Sequence, residues 1–171
     1  MQPYWTNGRQ TLYCGTWHSL PEVSSFNCLL LDPPLEHGLP HTALPEFAIY
    51  FGVPVRKAML EAGQVFDRVS LWFPPNLPSG PLRAPFVPIW TTGNLNVASI
   101  YQYPLDFADG ARKPVDMLVA LLGLARSRIR GVMDPYAGSC STLAACKILK
   151  LPCIGFELDE AKCAIAAEKL K

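Results

Sequence analysis

The chain has 171 residues, half of them hydrophobic, and 15 Lys and Arg against 14 Asp and Glu give a net charge of +1. That length suits one domain with a good core and is short for two. The composition excludes a disordered segment and a basic nucleic-acid coat, so any contact with DNA must come from a local patch or a partner. The 17 prolines are roughly twice usual usage and cluster from Pro74 to Pro88. The six cysteines contain no C-x-x-C pair, which argues for reduced, buried thiols and against a metal site. Met1–Leu20 carries no signal peptide and no apolar run reaches membrane-spanning length, so a cytoplasmic protein with no membrane partner is expected.

In chain order, Thr11–Cys14 reads as a short strand and Ser19–Glu22 as a turn or short helix. Phe26–Leu31 is apolar without alternation, the pattern of a strand buried on both faces in a parallel sheet. It ends in Asp32–Pro33–Pro34–Leu35. Glu36–Pro45 reads as loop. Glu46–Ala62 reads as helix, broken and restarted at Gly52 and Pro54. Val69–Phe73 is a further strand and Pro74–Pro85 a loop. Phe86–Thr91 and Val97–Tyr103 read as strands joined by a Thr92–Gly93–Asn94 hairpin turn. Pro104–Arg112 is loop. Lys113–Arg128 is an amphipathic helix, with Val115, Leu118, Val119, Leu122 and Ala125 on one face.

Residues 131–160 form a βαβα unit. Gly131–Asp134 is a strand, Pro135–Ser139 a tight turn, Thr142–Lys150 a helix and Cys153–Glu157 a second strand, and Asp159 opens a last helix. The alternation predicts an α/β fold: one Rossmann-like domain over 1–171, built on a mostly parallel, doubly wound sheet with an antiparallel hairpin near one edge. In such sheets ligands sit outside the carboxyl ends of the strands. Backbone N–H groups around Gly138 can face a ligand there. Glu157, roughly 20 residues past the turn, is placed to bond both hydroxyls of a ribose. The turn is neither G-x-G-x-x-G nor a P-loop, which favours an adenosine-type ligand without phosphate.

Asp32–Pro33–Pro34–Leu35 forms a second candidate site. The prolines lack N–H groups and fix φ, so the preceding carbonyls point outward with no donor beside them. Asp32 and the Pro33 carbonyl can then both accept from one –NH₂ group. Two acceptors pull an aromatic amine towards tetrahedral geometry and free its lone pair for attack on a methyl donor. A strand-terminating turn without chemistry explains the same residues equally well.

Taken together and in this order, the motifs resemble the β-class amino-group DNA methyltransferases, which use S-adenosylmethionine to make N6-methyladenine or N4-methylcytosine. The resemblance rests on five stretches. They are Tyr4–Leu35 with its Asp-Pro-Pro motif, Lys113–Pro114–Val115–Asp116–Met117–Leu118, Asp134–Thr142, Ile154–Asp159, and Cys163–Leu170. It implies a circularly permuted motif order, with a catalytic and target-base half at 1–110 and a cofactor half at 111–171. It further implies that Asp134, Pro135, Ala137, Gly138 and Ser139 line the methionine end of the cofactor. Glu157, with Asp159 beside it, would hold the ribose, and Lys113 and Pro114 would close the pocket near the methionine carboxylate. Asp32, Pro33, Pro34 and Leu35 would receive the target amine, of a base flipped out of double-stranded DNA. Arg83 and Arg112 are the loop residues placed for phosphate, whereas Arg126–Arg130 read as a solvated helix end. Tyr4 and Trp5 are placed to cover the adenine; Trp72 and Trp90 read as core. A bacterial or phage restriction-modification setting follows from the same resemblance.

Three positions depart from the family pattern. Leu35 replaces a tyrosine, Cys140 replaces a glycine, and Cys14–Gly15–Thr16–Trp17 replaces His-Gly-Asp-Cys. Base stacking on an aromatic ring is worth ~1–3 kcal/mol, which leucine forgoes. Cys140 is costly if its φ is positive. Tyr103–Lys113 leaves no room for a recognition domain, so a homodimer or separate recognition subunit is expected. Two other readings stand beside DNA methylation: a degenerate relative that binds S-adenosylmethionine or a partner, and a methyltransferase for RNA or another amino-bearing substrate.

Overall fold

The structure, a computed structural model, describes residues 1–17, 25–32, 45–52, 66–76, 86–105 and 113–171. Nine strands form one sheet: β1 Trp5–Thr6, β2 Gln10–Cys14, β3 Cys28–Leu31, β4 Phe47–Phe51, β5 Arg68–Trp72, β6 Val87–Thr92, β7 Ile100–Tyr101, β8 Val132–Asp134 and β9 Cys153–Glu157. Among the described residues the helices are α1 Val115–Leu124, α2 Ser141–Leu149 and α3 Glu160–Leu170. The strand order is β1-β2-β9-β8-β3-β4-β6-β5-β7.

The five central strands β2, β9, β8, β3 and β4 are mutually parallel, so their carboxyl ends share one edge. This part of the sheet is buried on both faces, and the β3, β4 and β9 sequences (CLLL, FAIYF, CIGFE) are correspondingly apolar without alternation. The register places Cys28, Phe47, Val132 and Cys153 on one face and Leu29, Ala48, Met133 and Ile154 on the other. The first face packs against buried residues of all three helices, including Leu118, Leu122, Leu143, Cys146 and Cys163. The second gathers Leu31, Tyr50 and Phe156 with the rings of Tyr13, Phe66 and Trp90.

The mostly parallel α/β sheet and the βαβα unit agree with expectation. Two expectations need correction. Phe47–Phe51 is a strand, not the start of a helix. An apolar run of five residues fits either structure, and here it lies fully buried between β3 and β6, where its aromatic and β-branched side chains fill both faces. The Gly93–Asn94 turn is present, with φ of 78° and 53°, but it closes no hairpin. The strand that follows, β7, pairs in parallel with β5, while β6 pairs antiparallel with β4 and β5. An antiparallel β1–β2 hairpin forms instead at the opposite edge.

Residues 19–22, 33–44, 53–62, 77–85 and 106–112 lie outside the described residues, and with them the expected loops there, the second half of the Glu46–Ala62 helix, Pro33, Pro34, Leu35, Arg83 and Arg112. The cysteines form no disulfide, with Cys14 half-buried and the others buried. No helix among the described residues is long and apolar enough to cross a membrane. No group of three or more His, Cys, Asp or Glu gathers there as a metal site.

Candidate functional site

The common edge of the parallel strands carries acidic residues one after another. Glu157 ends β9, Asp134 ends β8, and Asp32 follows β3 directly. Register fixes their neighbours: Cys14 pairs with Glu157 and Asp134 with Gly155.

Asp134 is buried, only 3% exposed. One carboxylate oxygen accepts from the backbone N–H of Tyr136 at 3.0 Å. Burial pushes its pKa up to about 6, against the opposing effects of a Thr142 side-chain hydrogen bond and the Lys113 charge. A buried carboxylate this close to neutral pH is a common mark of a functional site.

The turn after β8 is shaped by Gly138 at φ 51° and Cys140 at φ 59°. Cys140 therefore sits in the left-handed region that its replacement of glycine made costly, at a penalty of order 1 kcal/mol. Its side chain is buried in the helix-side core with Leu143 and Cys146. A Cβ at Gly138 would make ordinary contacts, 3.9 Å from Tyr136 O and 4.0 Å from Glu157 Oε2, so the positive φ rather than crowding is the reason for glycine there. Gly155 has a different reason to be small: a Cβ would come 2.5 Å from Leu143 Cδ1 and 3.0 Å from Ala137 Cβ. Its absence lets α2 and the turn lie directly on β9.

Glu157 is held on both oxygens. Oε2 accepts from Gly138 N–H at 2.9 Å, and Oε1 from Asp159 N–H at 2.9 Å. The Asp159 side chain caps α3, accepting from Ala161 and Lys162 N–H groups at 2.9 and 3.2 Å. Beside Glu157, Leu158 is 65% exposed, a bare apolar surface at the strand edge that sequence reasoning did not single out. Its position between Glu157 and Asp159, where a polar residue would be expected on an exposed turn, was the available signal.

Lys113, in the extended segment before α1, forms an ion pair with Asp32 Oδ2. Its Nζ lies 5.0 Å from the centre of the Phe51 ring. The structure thus brings Asp32, Lys113, Asp134, Gly138 and Glu157 to one edge. Phe51 was missed because its segment read as helix; Thr142 was noted only as part of a motif. Ala137 is bound into the edge by its N–H, which donates to Phe156 O at 2.8 Å. Ser139 Oγ and Ser141 Oγ lie 3.3 Å apart.

The basic residues at the end of α1 serve the fold at the opposite edge. Arg128 donates to Asn94 O at 2.6 Å and lies over the Phe47 ring at 4.7 Å. Arg130 pairs with Glu46 at 3.5 Å, and Arg126 donates to Leu149 O at 3.3 Å. Tyr4 is 38% exposed, and Trp5 packs half-buried on the core. Trp72 is buried and Trp90 half-buried, its Nε1–H donating to Gly52 O at 3.1 Å.

Residues 85–168, which contain the α1 lead, the β8 turn and Glu157, match the family model described as DNA methylase. That span is just under half of the chain, 84 of its 171 residues. No curated protein matches it in sequence. The fold of the whole chain is similar to solved DNA methylase structures. PvuII DNA methyltransferase (cytosine-N4-specific) superposes with a TM-score of 0.72 at 16% identity, covering 99% of this chain and 89% of that one. TTHA0409 of Thermus thermophilus, described as a DNA modification methylase and complexed with S-adenosyl-L-methionine, gives 0.66 at 15% identity over 95% and 94%. M1.HpyAVI in its S-adenosylmethionine complex gives 0.64 at 14% identity over 95% and 99%. At such identities the likeness is one of fold: an α/β methyltransferase sheet.

Proposed function

We propose that the chain is an S-adenosylmethionine-dependent methyltransferase acting on the exocyclic amine of adenine or cytosine in DNA. The observation that carries this reading is the row Glu157–Asp134–Asp32 at one strand edge, with Glu157 and Asp134 inside the segment that matches the DNA methylase model. The donor set suits the cofactor. Carboxylates accept from ribose hydroxyls and balance positive charge. Two of the structures similar to this chain contain S-adenosylmethionine.

When bound, the cofactor supplies a methyl group activated by its sulfonium. Glu157 would hold the ribose, keeping its geometry through the Gly138 and Asp159 N–H groups. Asp134 would face the cationic amino-acid end, and Lys113 its carboxylate. Asp32, with the carbonyl of Pro33, would accept from the target amine and orient its lone pair towards the methyl group. Pro34 would keep the Pro33 carbonyl rigid, and Arg83 and Arg112 would hold phosphates. Leucine at position 35 gives a base less to stack on than the family's tyrosine, which supports a weaker hold on the flipped base.

The test is transfer of tritiated methyl from S-adenosylmethionine to unmethylated genomic DNA, followed by nucleoside analysis. N6-methyladenine or N4-methylcytosine, abolished in Asp32→Ala, is the expected result. Transfer to RNA alone would move the substrate class. No transfer by a chain that still binds the cofactor would favour the degenerate, binding-only reading.

A further inference from the structure

Lys113 stands where two charges could claim it. Its ammonium rests on Asp32 Oδ2, on the carboxylate assigned to the target amine, and its field also reaches Asp134 on the neighbouring strand. The side chain is 18% exposed and its Nζ lies over Phe51. The backbone beyond it is set by Pro114, at φ −63° and ψ 134°, directly before α1. The lysine's position is therefore fixed while its flexible stem leaves the ammonium free to swing. Among the described residues it is the cation that pairs with a carboxylate of this row. A ligand that brings an amino-acid carboxylate to an acidic edge needs such a cation.

We propose that Lys113 is a positioning residue shared between Asp32 and the cofactor, and that cofactor binding makes Asp32 available to the base. In the free chain the ammonium occupies the acceptor that the amine requires, since both groups donate N–H to the same carboxylate. The carboxylate end of the bound cofactor draws the ammonium away and uncovers Asp32. Cofactor binding and productive base binding are therefore thermodynamically coupled through one side chain, each favouring the other. This rests on the methyltransferase reading and adds to it a coupling between the two binding events and the residue that carries it.

The test is a calorimetric double-mutant cycle on the whole chain with S-adenosylhomocysteine, repeated with 5′-methylthioadenosine, which lacks the amino-acid carboxylate. Asp32→Asn releases Lys113 and is expected to tighten S-adenosylhomocysteine binding about three- to tenfold. The gain should vanish in a Lys113→Met background, persist with Lys113→Arg, and be absent for 5′-methylthioadenosine. Unchanged or weaker binding by folded Asp32→Asn overturns the proposal. So does a gain that survives Lys113→Met, because removal of a negative charge would then explain it without the lysine. Failure of the wild-type chain to bind either ligand would instead sink the methyltransferase reading, and this proposal with it.

Discussion

The Gly138 N–H donates to Glu157 Oε2 at 2.9 Å, tying the turn after β8 to the end of β9. The other carboxylate oxygen accepts from Asp159 N–H, at the entry to α3. One side chain thus holds the two loops that border the candidate pocket. Glu157→Ala should lower stability by about 1–3 kcal/mol, as expected when charge-assisted hydrogen bonds are lost from a half-buried site. Hydrogen exchange is the direct check. The Gly138 and Asp159 amides should lose protection in the variant while the amides of β3 and β4 keep theirs.

Asp134 makes the edge pH-sensitive. Its folded pKa, about 6, is above the ordinary 3.8, so folding favours the protonated form. That contribution is complete below about pH 4 and is lost as pH rises through about 6; at neutral pH the ionised group is a liability of about 3 kcal/mol. Asp134→Asn should therefore raise stability at pH 8 and give no gain at pH 3.5, as read by denaturant melts at both values. The same substitution should weaken S-adenosylmethionine binding, since the ionised carboxylate faces the positive end of the cofactor in the proposed arrangement. In the wild-type chain, affinity should rise between pH 5 and 7.

Gly155 sets how closely α2 approaches the sheet. A methyl there would lie 2.5 Å from Leu143 Cδ1, too close for adjustment without moving the helix or the side chain. Gly155→Ala should cost about 1–3 kcal/mol by overpacking. Leu143→Ala, costly by itself at a fully buried position, should cost less in the Gly155→Ala background than in the wild-type chain, measured by urea unfolding of the single and double variants.

Leu35 is the departure closest to the proposed chemistry. If the missing ring limits the hold on the flipped base, Leu35→Tyr should increase methyl transfer about tenfold, consistent with ~1–3 kcal/mol per stacked base. The gain should appear in KM for DNA with little change in cofactor affinity. Equal rates in the two proteins would show that another group already supplies the stacking surface.

The half of the site formed by Asp134, Gly138 and Glu157 was legible in the sequence because its parts are consecutive. Strand, tight turn, helix and strand follow within residues 131–157, and each carries its own local signal. Leu151–Pro152 stops one helix, and Asp159 caps the next with its side chain. What could not be read was set by distant partners. Phe47–Phe51 is a strand because β3 and β6 flank it, and nothing within FAIYF says so. The turn at Gly93–Asn94 was correctly located, but the strand after it joins β5, roughly 30 residues earlier in the chain. The Lys113–Asp32 pair likewise joins residues far apart in the chain. Spacing alone could name both residues as candidates, but not that they touch.

Calorimetric titration of the purified chain with S-adenosylmethionine at pH 7.5, alongside Glu157→Ala, tests the cofactor site most directly. Saturable one-to-one binding to the wild-type chain is expected, weakened at least about tenfold in a folded Glu157→Ala variant through loss of the ribose acceptor. No heat of binding to the wild-type chain at millimolar cofactor, or equal affinity in the two proteins, would contradict the assignment.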